Sequence, residues 1–285
     1  MELIQWATSP WGQEVPIHLG WVLIWVFAIA GAVFLVGHAI WAGFFAKEET
    51  FVEPQVAPGF KERLPAKVKR HSLTARVFHW IMAVSMLVLL FTAFLPLVGV
   101  QFAWVEWHWM AGILLTASII FHVIHASFFL DFWAIWPDRT DIADAKNRAK
   151  LMMGKSAALP RKFSKYPFEN KMFHMAVMLA GLAVIFTGFF MLYRVRTPFL
   201  TRDPYIFFGD ATWGWMYVLH GLAGVGFITM VMAHIYFAIR PEKLEMTKSM
   251  IFGTVSREHY LDHHDPERWP VSDETSAAPG SATGD

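Results

Sequence analysis

The chain has 285 residues, of which 55% are apolar, 16% aromatic and only 16% charged, with a formal net charge of +1. An ordinary soluble domain is about 25% charged, so the polar surface needed to coat a water-soluble globule is missing and an integral membrane protein is expected. Cysteine is absent, which excludes disulfides, thiolate-held iron–sulfur clusters and covalent C-x-x-C-H haem attachment.

In chain order, apolar stretches long enough to cross a bilayer fall at residues 17–45, 77–97, 105–130, 172–193 and 212–239. The first is too long, and too free of preceding Lys or Arg, for a cleaved signal peptide. It is expected to be retained as an anchor. Between the spans the basic residues alternate. Residues 1–16 carry no Lys or Arg, 46–76 seven, 98–104 none, 131–171 nine, 194–211 three and 240–285 five. The positive-inside rule then puts the N-terminus outside, and the C-terminus and both long loops in the cytoplasm. Arg194, Arg196 and Arg202 are the outward exceptions, suited to lipid headgroups or an acidic partner. Within the second long loop, residues 141–153 read as a short helix with acids early and bases late, as the helix dipole prefers. The tail, residues 272–285, reads as disordered. The organisation expected is an N-terminal anchor (1–50), a helical bundle (70–240), a cytoplasmic C-terminal segment (241–271) and that tail. There is no internal repeat, no phosphate loop and no signature of nucleic-acid binding.

Thirteen histidines in so apolar a chain are the anomaly. An ionisable side chain inside a span is costly unless paired, and so marks a functional site. His220 and His234 are 14 residues apart on the last span, a rise of roughly 21 Å that returns to within roughly 40° of the same helix face. Two stacked haems, each with two axial ligands from facing helices, need that geometry. His108 lies level with His220 at the outer side. At the inner side two residues match His234: His79, at the start of the second span, and His122, itself 14 residues beyond His108. Depth alone leaves that choice open. Small residues beside these histidines (Ala111, Gly112, Gly221, Gly224, Gly226) suit a porphyrin pressed against a helix, although small residues are common at membrane helix contacts.

His122, His125 and His174 form a second group near the inner level, where a quinone headgroup would need donors and a proton route. His18 and His38 read as interfacial, with His38 within reach of the inner site, and His71 reads as solvated. His259, His263 and His264 have spacing that admits a zinc site. Two rival readings are a proton channel or transporter, whose histidines would be relays, and a haem-free anchor for a partner complex. The transporter predicts mid-membrane carboxylates or broken helices, and no Asp or Glu lies at mid-membrane.

The segment Arg76-Val77-Phe78-His79-Trp80 resembles the R-x-x-H-W opening of the first haem helix in the cytochrome b (gamma) subunits of respiratory formate dehydrogenases and the related hydrogenase di-haem cytochromes b. Glu106-Trp107-His108-Trp109-Met110-Ala111-Gly112 resembles their second haem helix, and His220 to His234 their paired-histidine last helix. Ser249-Met250-Ile251-Phe252-Gly253-Thr254-Val255 followed by His263-His264-Asp265-Pro266 is similar to their cytoplasmic segment. Lys165-Tyr166-Pro167-Phe168-Glu169-Asn170-Lys171 resembles the approach to their third helix. The resemblance covers about residues 70–270.

It implies an all-α membrane protein, a four-helix di-haem b bundle with one extra N-terminal helix, in a bacterial inner membrane. The axial ligands it implies are His79, His108, His220 and His234, favouring His79 over His122. It further implies electron transfer between an iron–sulfur subunit, with a molybdenum-type catalytic subunit behind it, and menaquinone or ubiquinone. Related cytochromes serve hydrogenases and other reductases. Quinone-site candidates are His174, His122, His125, Asn170 and Lys171, because Pro167 stands where the family has an Asn.

Overall fold

The computed structural model describes residues 2–46 and 49–271; the tail expected to be disordered lies outside them. In chain order the elements are β1 (Ile4–Thr8), β2 (Glu14–Leu19), α1 (Trp21–Phe44), α2 (Phe60–Arg63), β3 (Lys67–Lys69), α3 (Leu73–Phe94), α4 (Trp104–Phe129), α5 (Arg139–Met152), α6 (Phe168–Leu192), α7 (Asp210–Ile239), α8 (Leu244–Phe252), β4 (Thr254–Ser256) and α9 (Arg257–His263). Among the described residues five helices (α1, α3, α4, α6 and α7) are long and apolar enough to cross a membrane. At about 1.5 Å per residue the shortest, of 22 residues, exceeds the roughly 30 Å of a hydrocarbon core. The protein is an all-α integral membrane protein to which two short antiparallel ribbons are added.

The chain clusters into two compact units. The first comprises Met1–Ala46, Phe78–His125 and Met175–Phe237, and the second Lys47–Val77, Ala126–His174 and Ala238–Asp285.

In the first unit the start of the expected first span is corrected: residues 17–19 belong to β2, and the helix begins at Trp21. The β1–β2 hairpin turns at Gly12, whose φ of +79° suits only glycine without strain. The Ser9 hydroxyl accepts the amides of Trp11 and Gln13 within the turn. The hairpin and α1 lie along α7. A Cβ at Gly214 would come 1.9 Å from the Pro16 carbonyl oxygen, and one at Gly221 would meet Leu19 at 3.2 Å. Farther along, Thr229 Oγ1 donates to the Phe27 carbonyl at 2.9 Å, Gly31 faces Met232, and His38 Nδ1 lies 3.0 Å from the Tyr236 hydroxyl.

Polar side chains within the spans turn back on their own helices. Ser85, Thr92, Thr116 and Thr187 each donate to the carbonyl four residues earlier, which satisfies the hydroxyl where no water is present.

The second unit has a water-type core of Leu64, Val68, Val255, Tyr260 and Trp269. β3 and β4 pair through Val68 and Val255, and the Tyr260 hydroxyl donates to the Trp269 carbonyl at 2.6 Å. The loop helix expected at residues 141–153 is α5, and it starts earlier because Asp138 caps it. Asp138 accepts the Asp141 amide, and the Asp141 carboxylate accepts the Asp138 amide, a reciprocal capping box. Asp141 is buried and also pairs with Lys171 and Arg268, each at 2.6 Å. Burial pushes its carboxyl up. The Asp138 amide and the two cations outweigh this and hold it below the ordinary range.

Candidate functional site

His108, near the start of α4, faces His220 of α7 with ring centroids 6.1 Å apart. His79, near the start of α3, faces His234 of α7 at 6.3 Å. A metal–imidazole bond is about 2 Å, and the ring centroid lies about 1.1 Å beyond the nitrogen. Two imidazoles on opposite sides of one metal atom therefore have centroids about 6 Å apart. Both pairs have that separation, so the residues fit a metal held between them. α7 contributes one histidine to each pair.

His122, which the 14-residue spacing made a rival of His79, lies flat on Phe78, with centroids 4.4 Å apart and planes at 28°. His125 stacks on Phe121 at 5.7 Å and 11°. Both are in the first unit, whereas His174, Asn170 and Lys171 fall in the second. Lys171 is 2% exposed and committed to Asp141, with a further hydrogen bond to the Trp136 carbonyl. Asn170 is exposed and His174 half-buried.

The glycines divide by role. Gly188 approaches His220: a Cβ there would lie 3.3 Å from the imidazole Cε1. Gly221 serves the hairpin instead, since Leu19 occupies its space. A Cβ at Gly224 or Gly226 would meet nothing within 4 Å, so neither glycine is required by a neighbouring protein atom.

Two residues with a direct bearing on the first pair were not singled out by sequence. Thr92 Oγ1 lies 2.8 Å from His108 Nδ1, and Thr187 Oγ1 lies 2.8 Å from His220 Nδ1. A threonine in an apolar helix ordinarily bonds only its own backbone, and neither spacing nor composition marks these two.

The remaining histidines have other settings. His18 is exposed on β2, with its Nδ1 2.7 Å from the Leu19 carbonyl. His38 packs among Trp41, Tyr236 and Phe237 in the α1–α7 contact. His71 is half-buried near Tyr166. His259 stacks on His263 at 4.4 Å, and the fully buried His264 donates from Nδ1 to the Ser164 carbonyl. Among the described residues no cluster of three or more His, Asp or Glu is arranged to hold a metal ion. Arg194 lies over the rings of Trp213 and Tyr217 at 4.8 and 5.7 Å, a cation–π arrangement.

The family model described as prokaryotic cytochrome b561 matches residues 70–253, more than half of the chain. No curated protein matches it significantly. The matched region runs from just before α3 to the end of α8. It includes both facing histidine pairs and leaves out the hairpin and α1.

Proposed function

The chain belongs to the prokaryotic cytochrome b561 family; it is a multi-pass membrane haem b electron-transfer protein, and from that premise we propose a di-haem subunit that passes electrons between an iron–sulfur partner and the quinone pool. The observation that carries this reading is the pair of facing histidine couples, His108 with His220 and His79 with His234, at 6.1 and 6.3 Å. Each couple would supply two neutral imidazoles to one haem iron. Bound haem supplies one-electron exchange at a potential tuned by its axial ligands and their surroundings. With α7 carrying one histidine of each couple, the two couples lie roughly 21 Å apart along the helix axis, so that two haems held there would divide the bilayer between them.

The protein's own part is to hold four imidazoles in register, to keep their ligating nitrogens unprotonated, and to exclude water. The absence of cysteine means that any iron–sulfur cluster feeding the chain belongs to a separate subunit. The charge distribution supports an outside N-terminus, so that His108 and His220 serve the outer leaflet and His79 and His234 the inner. Quinone reduction consumes protons, which favours an exchange site at the inner end. His174 is our candidate donor there, since neutral imidazole can give one proton and recover another from water.

The deciding experiment is haem quantification on the purified full-length chain. Two acid-extractable b-type haems per chain are expected, and an absence of haem would sink the proposal. For quinone, His174→Leu should retain both haem spectra and lose quinone-dependent reoxidation. Full activity would remove His174 from the site.

A further inference from the structure

We propose that Thr92 and Thr187 are a matched pair of positioning residues that lock His108 and His220 in one tautomer and one ring orientation. Each hydroxyl accepts the Nδ1 proton, so that both Nε2 lone pairs are turned to a single iron. The inference rests on the di-haem reading and deepens it at one of the two sites.

The argument is a proton count. Thr92 Oγ1 lies 2.7 Å from the Val88 carbonyl oxygen and 2.8 Å from His108 Nδ1. Thr187 Oγ1 lies 2.6 Å from the Ala183 carbonyl oxygen and 2.8 Å from His220 Nδ1. A hydroxyl has one proton and two lone pairs, whereas a carbonyl oxygen only accepts. The short contact to each carbonyl therefore takes the hydroxyl proton. What remains toward the imidazole is a lone pair, and the Nδ1 facing it must carry the hydrogen. Were the hydroxyl to donate to Nδ1 instead, two oxygens without a proton between them would sit 2.6 to 2.7 Å apart. Tautomers are inferred from such networks, and here both networks give the same answer.

Nδ1–H leaves Nε2 as the basic nitrogen of each ring. The threonines come from different helices, α3 and α6, and are 3% and 0% exposed, so water cannot compete for the imidazole proton. Each hydroxyl is itself held by its helix backbone, which makes it a rigid acceptor. Gly188, next to Thr187, lets the His220 ring approach α6: a Cβ there would lie 3.3 Å from Cε1, so the ring rests against that backbone as its Nδ1 reaches the hydroxyl. A hydrogen bond from the far nitrogen of a ligating histidine fixes its orientation and raises its basicity. The consequence here is a more electron-rich iron site and a lower reduction potential for the haem between His108 and His220.

The test uses the full-length protein in detergent with Thr92→Val, Thr187→Val and the corresponding Ser variants. The readouts are haem content, the potentiometric midpoint of each haem and the low-spin electron paramagnetic resonance signal. The relevant haem is identified as the one lost in His220→Ala. Each Val variant should keep its fold and shift that haem alone to a more positive midpoint, with an altered signal reporting a turned imidazole. Each Ser variant should restore both toward wild type. Loss of that haem in Val with its return in Ser would support the same role. Val variants with wild-type midpoint and signal would overturn the proposal, as would a defect that Ser does not rescue. A wild-type chain carrying no haem would instead overturn the di-haem reading itself, and this inference with it.

Discussion

His79 and His234 face each other with ring centroids 6.3 Å apart, while His122, at the matching distance along its own helix, lies on the ring of Phe78. The relationship separates two ligand arrangements that helix periodicity treats as equivalent. His79→Ala should lower the haem content from two per chain to one, and His234→Ala should do the same. His122→Ala should keep two. Pyridine haemochrome analysis reads the difference directly, and loss of a haem in His122→Ala with none in His79→Ala would reverse the assignment.

The hairpin should depend on one glycine. A methyl group at position 214 would sit 1.9 Å from the Pro16 carbonyl oxygen, and backbone cannot yield as a side-chain tip can. Gly214→Ala is expected to weaken hairpin docking by about 1–3 kcal/mol, the usual range for overpacking. Trp11, 80% exposed in the turn, would then become a faster chymotryptic site. Unchanged cleavage would show that the hairpin does not need this contact.

Asp141 holds the second unit together through charge. It is 4% exposed and lies 2.6 Å from both the buried Lys171 and the half-buried Arg268. Asp141→Asn keeps the shape but leaves the buried Lys171 without its carboxylate, while Arg268 still has Asp138 and Asp144 at 3.7 and 3.5 Å, a loss of about 3–5 kcal/mol for a broken buried pair. The native carboxyl titrates below its unfolded value of 3.8. Its contribution is therefore complete above that pH and is lost as pH falls through the lower folded value. Limited proteolysis within residues 244–271 should accelerate in the variant at neutral pH and in the wild type only in acid.

A second acid sensitivity begins nearer neutrality. Burial, and then the Arg70 guanidinium, push the His264 imidazole down to about 3. Arg70 Nη1 lies 3.5 Å from His264 Nε2, and His259 and His263 are the other titratable neighbours. Since the unfolded value is 6.5, the unfolded chain binds a proton that the folded one refuses. Stability should decline below pH 6.5, by at most roughly 1.4 kcal/mol per pH unit, until about pH 3. Thermal melts of His264→Asn should start lower at pH 7.5 and show a flatter pH dependence. An unchanged slope would assign the effect to other groups.

How much of this was written locally follows from the range of each force. Hydrophobic length and charge alternation are one-dimensional, so five spans, the short loop helix and the distinction of His220 and His234 were legible from residue order alone. The hairpin before α1 was not, because its strands are short and the bulge between Gln5 and Trp6 breaks their alternation. Nor were the ion pairs of Asp141, whose partners lie 30 and 127 residues away. The pairing of His79 with His234 and the threonines behind His108 and His220 are further from local pattern still. A span's sequence sets how deep a side chain lies along the helix axis. Which way it turns depends on how neighbouring helices rotate and pack, and that rotation emerges only when all of them settle against one another.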